Sequence, residues 1–359
     1  MVVACCLALA PVGVSASAGR AVARVDAVPV VIASIPVAIE PAALTVSPDG
    51  TRVYVVSQGD SGVDQPVLTV IDATRLGVSS VSPTCSAPVD IAAAGTSILV
   101  ACAGDNSLRV FDGETLAPLS SIPLGAGPEA LAVSPDGTEA FVLAYGSKSP
   151  KVVPAVIVVD LRREAVVARV RVGVIPRSLV LSASGRRAYV SNWGDESISV
   201  ISTGSRRVLD TIDLGTTMPG ALAVNPDGSR LLVNRENAGV RKPRILTINT
   251  EERDVVAAFR PGFPVDAMQY SAVRMNVDGG YQRAGTLLLV AGEVDYEEAF
   301  VIVDLLTQRA VSSVELAPPC QGASGNQDLA VAPDGARAYV LTFCLGKPGA
   351  VSVIDLPLP

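Results

Sequence analysis

One short phrase returns seven times along these 359 residues: a small-residue turn ending in glycine, an apolar strand, a variable loop, and a strand closing on Asp, Asn or Ser. The turns are Ser47-Pro48-Asp49-Gly50, Ala93-Ala94-Gly95, Ser134-Pro135-Asp136-Gly137, Ser182-Ala183-Ser184-Gly185, Asn225-Pro226-Asp227-Gly228 and Ala332-Pro333-Asp334-Gly335, with a degenerate copy in Asn276 to Gly285. Proline presets φ, aspartate caps the turn through its carboxylate, and glycine supplies positive φ. Short β-rich runs on either side make each turn a hairpin.

The closing strands are equally regular. They run Leu68 to Asp72, Leu108 to Asp112, Val156 to Asp160, Ile198 to Ser202, Ile245 to Asn249, Phe300 to Asp304 and Val351 to Asp355. By subtraction, successive ends lie 40, 48, 42, 47, 55 and 51 residues apart. A solenoid keeps a tighter period; loops of changing length on a constant four-stranded unit suit the blades of a propeller. The last repeat stops after its third strand, while Val28 to Ile35 stands where other repeats carry a fourth. The expectation is an all-β, seven-bladed propeller with four-stranded antiparallel blades, whose N-terminal strand completes the last blade and removes the open edge.

The second strands read Tyr54-Val55-Val56-Ser57, Tyr189-Val190-Ser191-Asn192 and Tyr339-Val340-Leu341-Thr342. With the Val-Ile-Asp endings, this resembles the YVTN family of β-propeller repeats of bacterial and archaeal exported and surface proteins, over Ala42 to Asp355. The other four copies depart from the tetrapeptide but keep its apolar alternation. The resemblance implies no single activity.

Hydrophobic residues make up 49% of the chain and mean hydropathy is +0.43, yet the apolar residues fall in runs of four to six rather than in a span for a bilayer. A formal charge of −7 argues against nucleic acid as a partner, because that binding rests on Lys and Arg at phosphates. Met1 to Ala18 reads as a signal peptide, with Ala16-Ser17-Ala18 as its cleavage site, although it lacks a basic start. Val2-Val3-Ala4-Cys5 is like a lipobox, but its hydrophobic run follows the cysteine. Residues 19–359 then form one exported domain, expected to be monomeric.

Four cysteines beyond Cys5 and Cys6 allow three pairings, and the repeat selects among them. Cys85 precedes the first strand of one blade and Cys102 ends its second; Cys320 and Cys344 hold nearly the same places five blades later. Cys85–Cys102 and Cys320–Cys344 are therefore the expected disulfides. No CxxC spacing exists, and no metal site or cofactor is expected.

The chain contains no histidine, which removes the Ser-His-Asp and Cys-His nucleophile systems, histidine acid–base catalysis and the usual catalytic zinc sites. The turn carboxylates read as caps. The opposite face, built of second-to-third loops and blade connections, is where binding residues belong. Its candidates are Trp193, Tyr296 and Arg235 as anchors, and Glu40, Glu129, Arg177 and Asp266 near the central axis. The leading expectation is a binding or scaffolding module for a protein, glycan or small molecule. The alternative is a histidine-independent enzyme, a lactonase-like hydrolase or lyase, with a carboxylate–arginine or metal site at the channel mouth. Met268 to Gly285 is the most divergent stretch, and simple drift of the repeat is preferred there over an insertion.

Overall fold

The computed structural model describes residues 28–60, 64–145, 147–148, 151–215, 218–236, 244–263, 265–270, 275–277, 280–282, 287–294, 297–316, 324–344 and 346–356. They form seven four-stranded antiparallel sheets, and none of them is helical. Blade one comprises Pro41–Val46, Arg52–Ser57, Val67–Asp72 and Gly77–Pro83; blades two to six repeat that order. Blade seven takes Ser324–Val331, Arg337–Cys344 and Lys347–Asp355, with Val30–Ile39 as its outermost strand. That strand lies antiparallel to the chain's last one, with Val31 opposite Ile354 and Ile35 opposite Val351. The expected closure is therefore present.

The apolar period of two explains how blades pack. In Arg52–Ser57, Val53 and Val55 join Tyr339, Leu341 and Val353 of blade seven, while Tyr54 and Val56 join Ile91 and Val100 of blade two. Seven such clusters occupy the seven blade–blade boundaries. Second strands are thus buried on both faces, whereas an outer strand such as Gly77–Pro83 is mostly exposed. Each fully buried Val or Leu contributes about 1.5–3 kcal/mol. First strands of neighbouring blades contact one another all the way round, which sets them about the central axis.

The turn carboxylates are caps. Asp49 Oδ1 accepts from the Ser47 hydroxyl at 2.5 Å and from the Thr51 amide at 3.0 Å, and Gly50 N donates to the Ser47 carbonyl with φ of 72°. The Ser47 hydroxyl, followed by the Thr51 amide, holds the Asp49 carboxyl down at about 2. Asp72 and Asp112 cap the third-to-fourth turns through the amides two and three residues on.

Blade six differs from the expectation of simple drift. Between its strands Val265–Tyr270 and Leu287–Val294, the chain forms an additional hairpin, Met275–Val277 against Gly280–Gln282. The stretch is an insertion in the first-to-second turn, so it belongs to the turn face and not to the loop face.

Cys85 and Cys102 are joined, with Cα atoms 5.9 Å apart. Cys344 is also disulfide-bonded; Cys320, its expected partner, lies outside the described residues, as do Tyr296 and the signal-peptide segment.

Candidate functional site

The pairing register at the start of each first strand shows how the loop face is built. Pro128 faces Ala144 and Ala130 faces Leu143, so Glu129 is the extra residue of a bulge. Arg177 between Pro176 and Ser178, and Asp266 between Val265 and Ala267, hold the same place in blades four and six. Ala42 and Val89 hold it in blades one and two. A bulge re-aims a side chain out of the ladder, and here it does so at one level around the axis.

A second repeated contact sets the rim. The residue after the second strand donates its amide to the carbonyl of the residue preceding the first strand: Gln58 to Glu40, Ala103 to Ala87, Tyr145 to Gly127 and Trp193 to Ile175. Glu40, Ala87 and Ile175 adopt positive φ, at 50°, 46° and 50°. Such a conformation is costly for non-glycine residues, Ile175 above all, and the surrounding ladder holds it in place.

These elements enclose a cavity of about 480 Å³ lined by Glu40, Pro41, Ala42, Gln58, Val89, Glu129 and Phe343. Its walls come from blades one, two, three and seven, which places it at the mouth of the channel. Larger clefts, of about 580 and 590 Å³, lie on the turn face among Asp49, Asp72 and Asp112. The carboxylates there already cap turns, which leaves the mouth as the better-equipped pocket.

Beside the cavity, the Arg177 guanidinium lies over the Trp193 ring, 5.7 Å from its centroid, an attraction between a cation and the negative face of the indole. Among the described residues Arg177 makes no ion pair. Burial pushes the half-buried Glu129 carboxyl above its ordinary value, and the Arg177 charge pulls it partly back. Burial likewise raises the Tyr145 hydroxyl, with Glu129 adding to the rise and Arg177 opposing it. Glu129, Arg177, Trp193 and Tyr145 are therefore one electrostatic group.

Deeper in the ring are two acids that sequence reasoning missed. Asp90 accepts from its neighbour Ile91 N at 2.7 Å and, across the blade boundary, from Leu131 N at 2.6 Å. Asp328 accepts from Leu329 N at 2.8 Å and from Leu44 N, in blade one, at 2.9 Å. Both stitch one innermost strand to the next. Burial first, then the Asp328 charge, pushes the Asp90 carboxyl up to about 8; its amide bonds oppose the rise, and Glu129 adds a little to it. Burial also raises Asp328 against its two amide donors. Asp90 as a residue keeps some accessible surface, but protein surrounds its carboxylate, and that enclosure governs the titration.

Of the sequence-derived candidates, Glu40 and Glu129 line the cavity, and Arg177 and Trp193 stack beside it. Arg235 is the next-to-last residue of the second strand of blade five, half-buried and opposite Pro219 and Arg244 in the ladder, and it does not line the cavity. Asp266 is exposed on blade six, across the ring. The rim residues Gln58, Tyr145 and Phe343 were not anticipated. Their signal was positional: Gln58 and Tyr145 follow directly on a second strand, the place Trp193 holds in blade four, and Phe343 is next to last in blade seven's longer second strand.

The chain matches no family model and no curated protein. Among solved structures, it is similar to hydrazine synthase of Kuenenia stuttgartiensis, with a TM-score of 0.67 at 21% identity, covering 88% of this chain and 95% of that one. Matches extend to 1611 solved chains, so the likeness establishes a β-propeller fold and not an activity.

Proposed function

We propose that the chain is an exported propeller that works as a binding or scaffolding module and takes its ligand at the axial mouth of the loop face. The cavity shared by Glu40, Gln58, Glu129 and Phe343 carries this reading, because it gathers polar and apolar groups from four blades at one concave point. Export is supported by the signal-like segment Met1 to Ala18, the Cys85–Cys102 disulfide and the resemblance to YVTN repeats. Among the described residues no helix is long and apolar enough to cross a membrane. Residues 19–359 are proposed to act as one domain.

The test is a thermal-shift screen of oxidised residues 19–359 against divalent cations, sugars, lactones and cell-wall fragments. A ligand at about a hundred times its dissociation constant adds about 2.7 kcal/mol of stability. Glu129→Gln is expected to diminish that shift. Ligands whose shifts survive the substitution, or a panel without any shift, would count against the mouth.

A second reading, a carboxylate-based hydrolase or lyase, has one observation in its favour: burial raises the pKa of the half-buried Glu129, as a general acid requires, and outweighs the opposing Arg177 charge. Turnover of a lactone that disappears in Glu129→Gln would select it over simple binding.

A further inference from the structure

The mouth presents two chemistries side by side. Glu40, Glu129, Phe343 and Gln58 line the cavity, and among the described residues no basic side chain does. Arg177 borders it at the next blade, exposed, laid over Trp193 and without an ion pair among the described residues. Glu129 and Arg177 sit at the same bulge position of adjacent blades and influence one another without bonding. A guanidinium fixed on an indole has already lost much of its freedom, so a ligand anion that meets it forfeits less ordering entropy. An acid in a partly apolar recess favours an ammonium group over a neutral donor, and an aromatic wall adds to that preference.

We infer that the mouth recognises a zwitterionic ligand of the amino-acid class, its ammonium group held in the Glu40–Glu129–Phe343 cavity and its carboxylate on Arg177. This rests on the reading of the mouth as the binding site and adds the ligand's chemistry to it. A bare cation leaves Arg177 unused, and a bare anion meets the two glutamates.

The probes are ω-aminoalkanoic acids of two to six carbons with matched n-alkylamines and n-alkanoates, measured by titration calorimetry on oxidised residues 19–359. One chain length of the zwitterion series is expected to bind at least about ten-fold more tightly than either half. Glu129→Gln should weaken zwitterion and alkylamine together, whereas Arg177→Gln should weaken the zwitterion by about ten-fold, and any alkanoate binding with it, while sparing the alkylamine. Both variants must keep the wild-type melting temperature without ligand; Arg177→Lys, which keeps the charge, is expected to recover part of the loss. Equal binding of alkylamine and zwitterion would overturn the inference, as would indifference of the zwitterion to Arg177→Gln, or no heat from any probe at 10-fold excess over a protein concentration of about 1 mM. A sugar or peptide whose binding Glu129→Gln abolishes, alongside silent amino acids, would refute the ligand class and leave the mouth standing. Binding of every ligand found, unaffected by either variant, would refute the mouth itself.

Discussion

Substituting Asp90 tests the electrostatics of the axis directly. Its carboxyl is pushed up to about 8, from an ordinary 3.8, by burial and by the neighbouring Asp328. An acid whose folded pKa is raised holds its proton more tightly in the folded chain. Its stabilising contribution is complete below the ordinary carboxylate range and is lost as pH rises from about 4 towards about 8. Between pH 5 and 7 the folded chain keeps about one proton more at this site than the unfolded chain, so stability falls by about 3 kcal/mol over the interval. No histidine titrates in this window, and the turn acids Asp49 and Asp136 are held down at about 2 by their hydrogen bonds, below it. Asp90→Asn keeps the shape and one acceptor oxygen, and forfeits one of the bonds to Ile91 N and Leu131 N. That loss costs about 1 kcal/mol at every pH, and removes the slope that belongs to this site. Urea denaturation at half-unit steps should show the wild type more stable only below about pH 4.5, with the curves crossing there and Asp90→Asn the more stable by about 3 kcal/mol at pH 7. Asp328 and Glu129, both also raised, keep a residual slope in the variant. Parallel curves for wild type and Asp90→Asn would refute the reasoning, since they would mean that the Asp90 carboxyl titrates alike folded and unfolded.

Three further outcomes follow from the geometry. Replacing Cys85 and Cys102 together by Ser frees a loop with a sequence separation of 17 and should lower unfolding free energy by about 3 kcal/mol, read as a reduced denaturant midpoint; reduced wild type, which also loses the Cys344 bridge, should fall lower still. Asn192 is fully buried, donates to the Ser197 and Ser199 hydroxyls at 3.0 and 2.9 Å and accepts from Gly173 N; Asn192→Ala should cost about 2–3 kcal/mol by thermal or urea unfolding. Deleting residues 1–39 removes the strand that completes blade seven and bares the edge of Lys347–Asp355, so gel filtration should show self-association that the full mature chain lacks.

The turns, the strand endings and the closing N-terminal strand were legible in the sequence, because proline, aspartate and glycine at fixed offsets leave little freedom in a hairpin and because they recur in phase. The place of Glu129 and Arg177 was legible for the same reason, as each follows a repeated proline. Asp90 was not: it lies one residue further on, where blades one and three carry Ala43 and Ala130, and blade seven alone repeats the acid, as Asp328. Its role depends on a bond to the next blade, a contact 41 residues away in sequence. Tyr145 and Phe343 fall in the variable loops Ala144 to Ala155 and Thr342 to Ala350, where nothing in the sequence singles them out; the bond from Tyr145 N to the Gly127 carbonyl and the place of Phe343 in the cavity wall do. Arg235 stood out because of its loop, and blade five holds its backbone in the ladder.

The account's central claim is that the axial mouth of the loop face is where this propeller binds. Hydrogen–deuterium exchange with and without the strongest stabilising ligand tests it most directly. Protection confined to the segments around Glu40–Ala42, Gln58, Val89, Glu129 and Phe343 is the predicted result. Protection at the Ser47–Gly50 and Ser134–Gly137 turns, or along outer strands such as Gly77–Pro83, with the mouth unchanged, would contradict it.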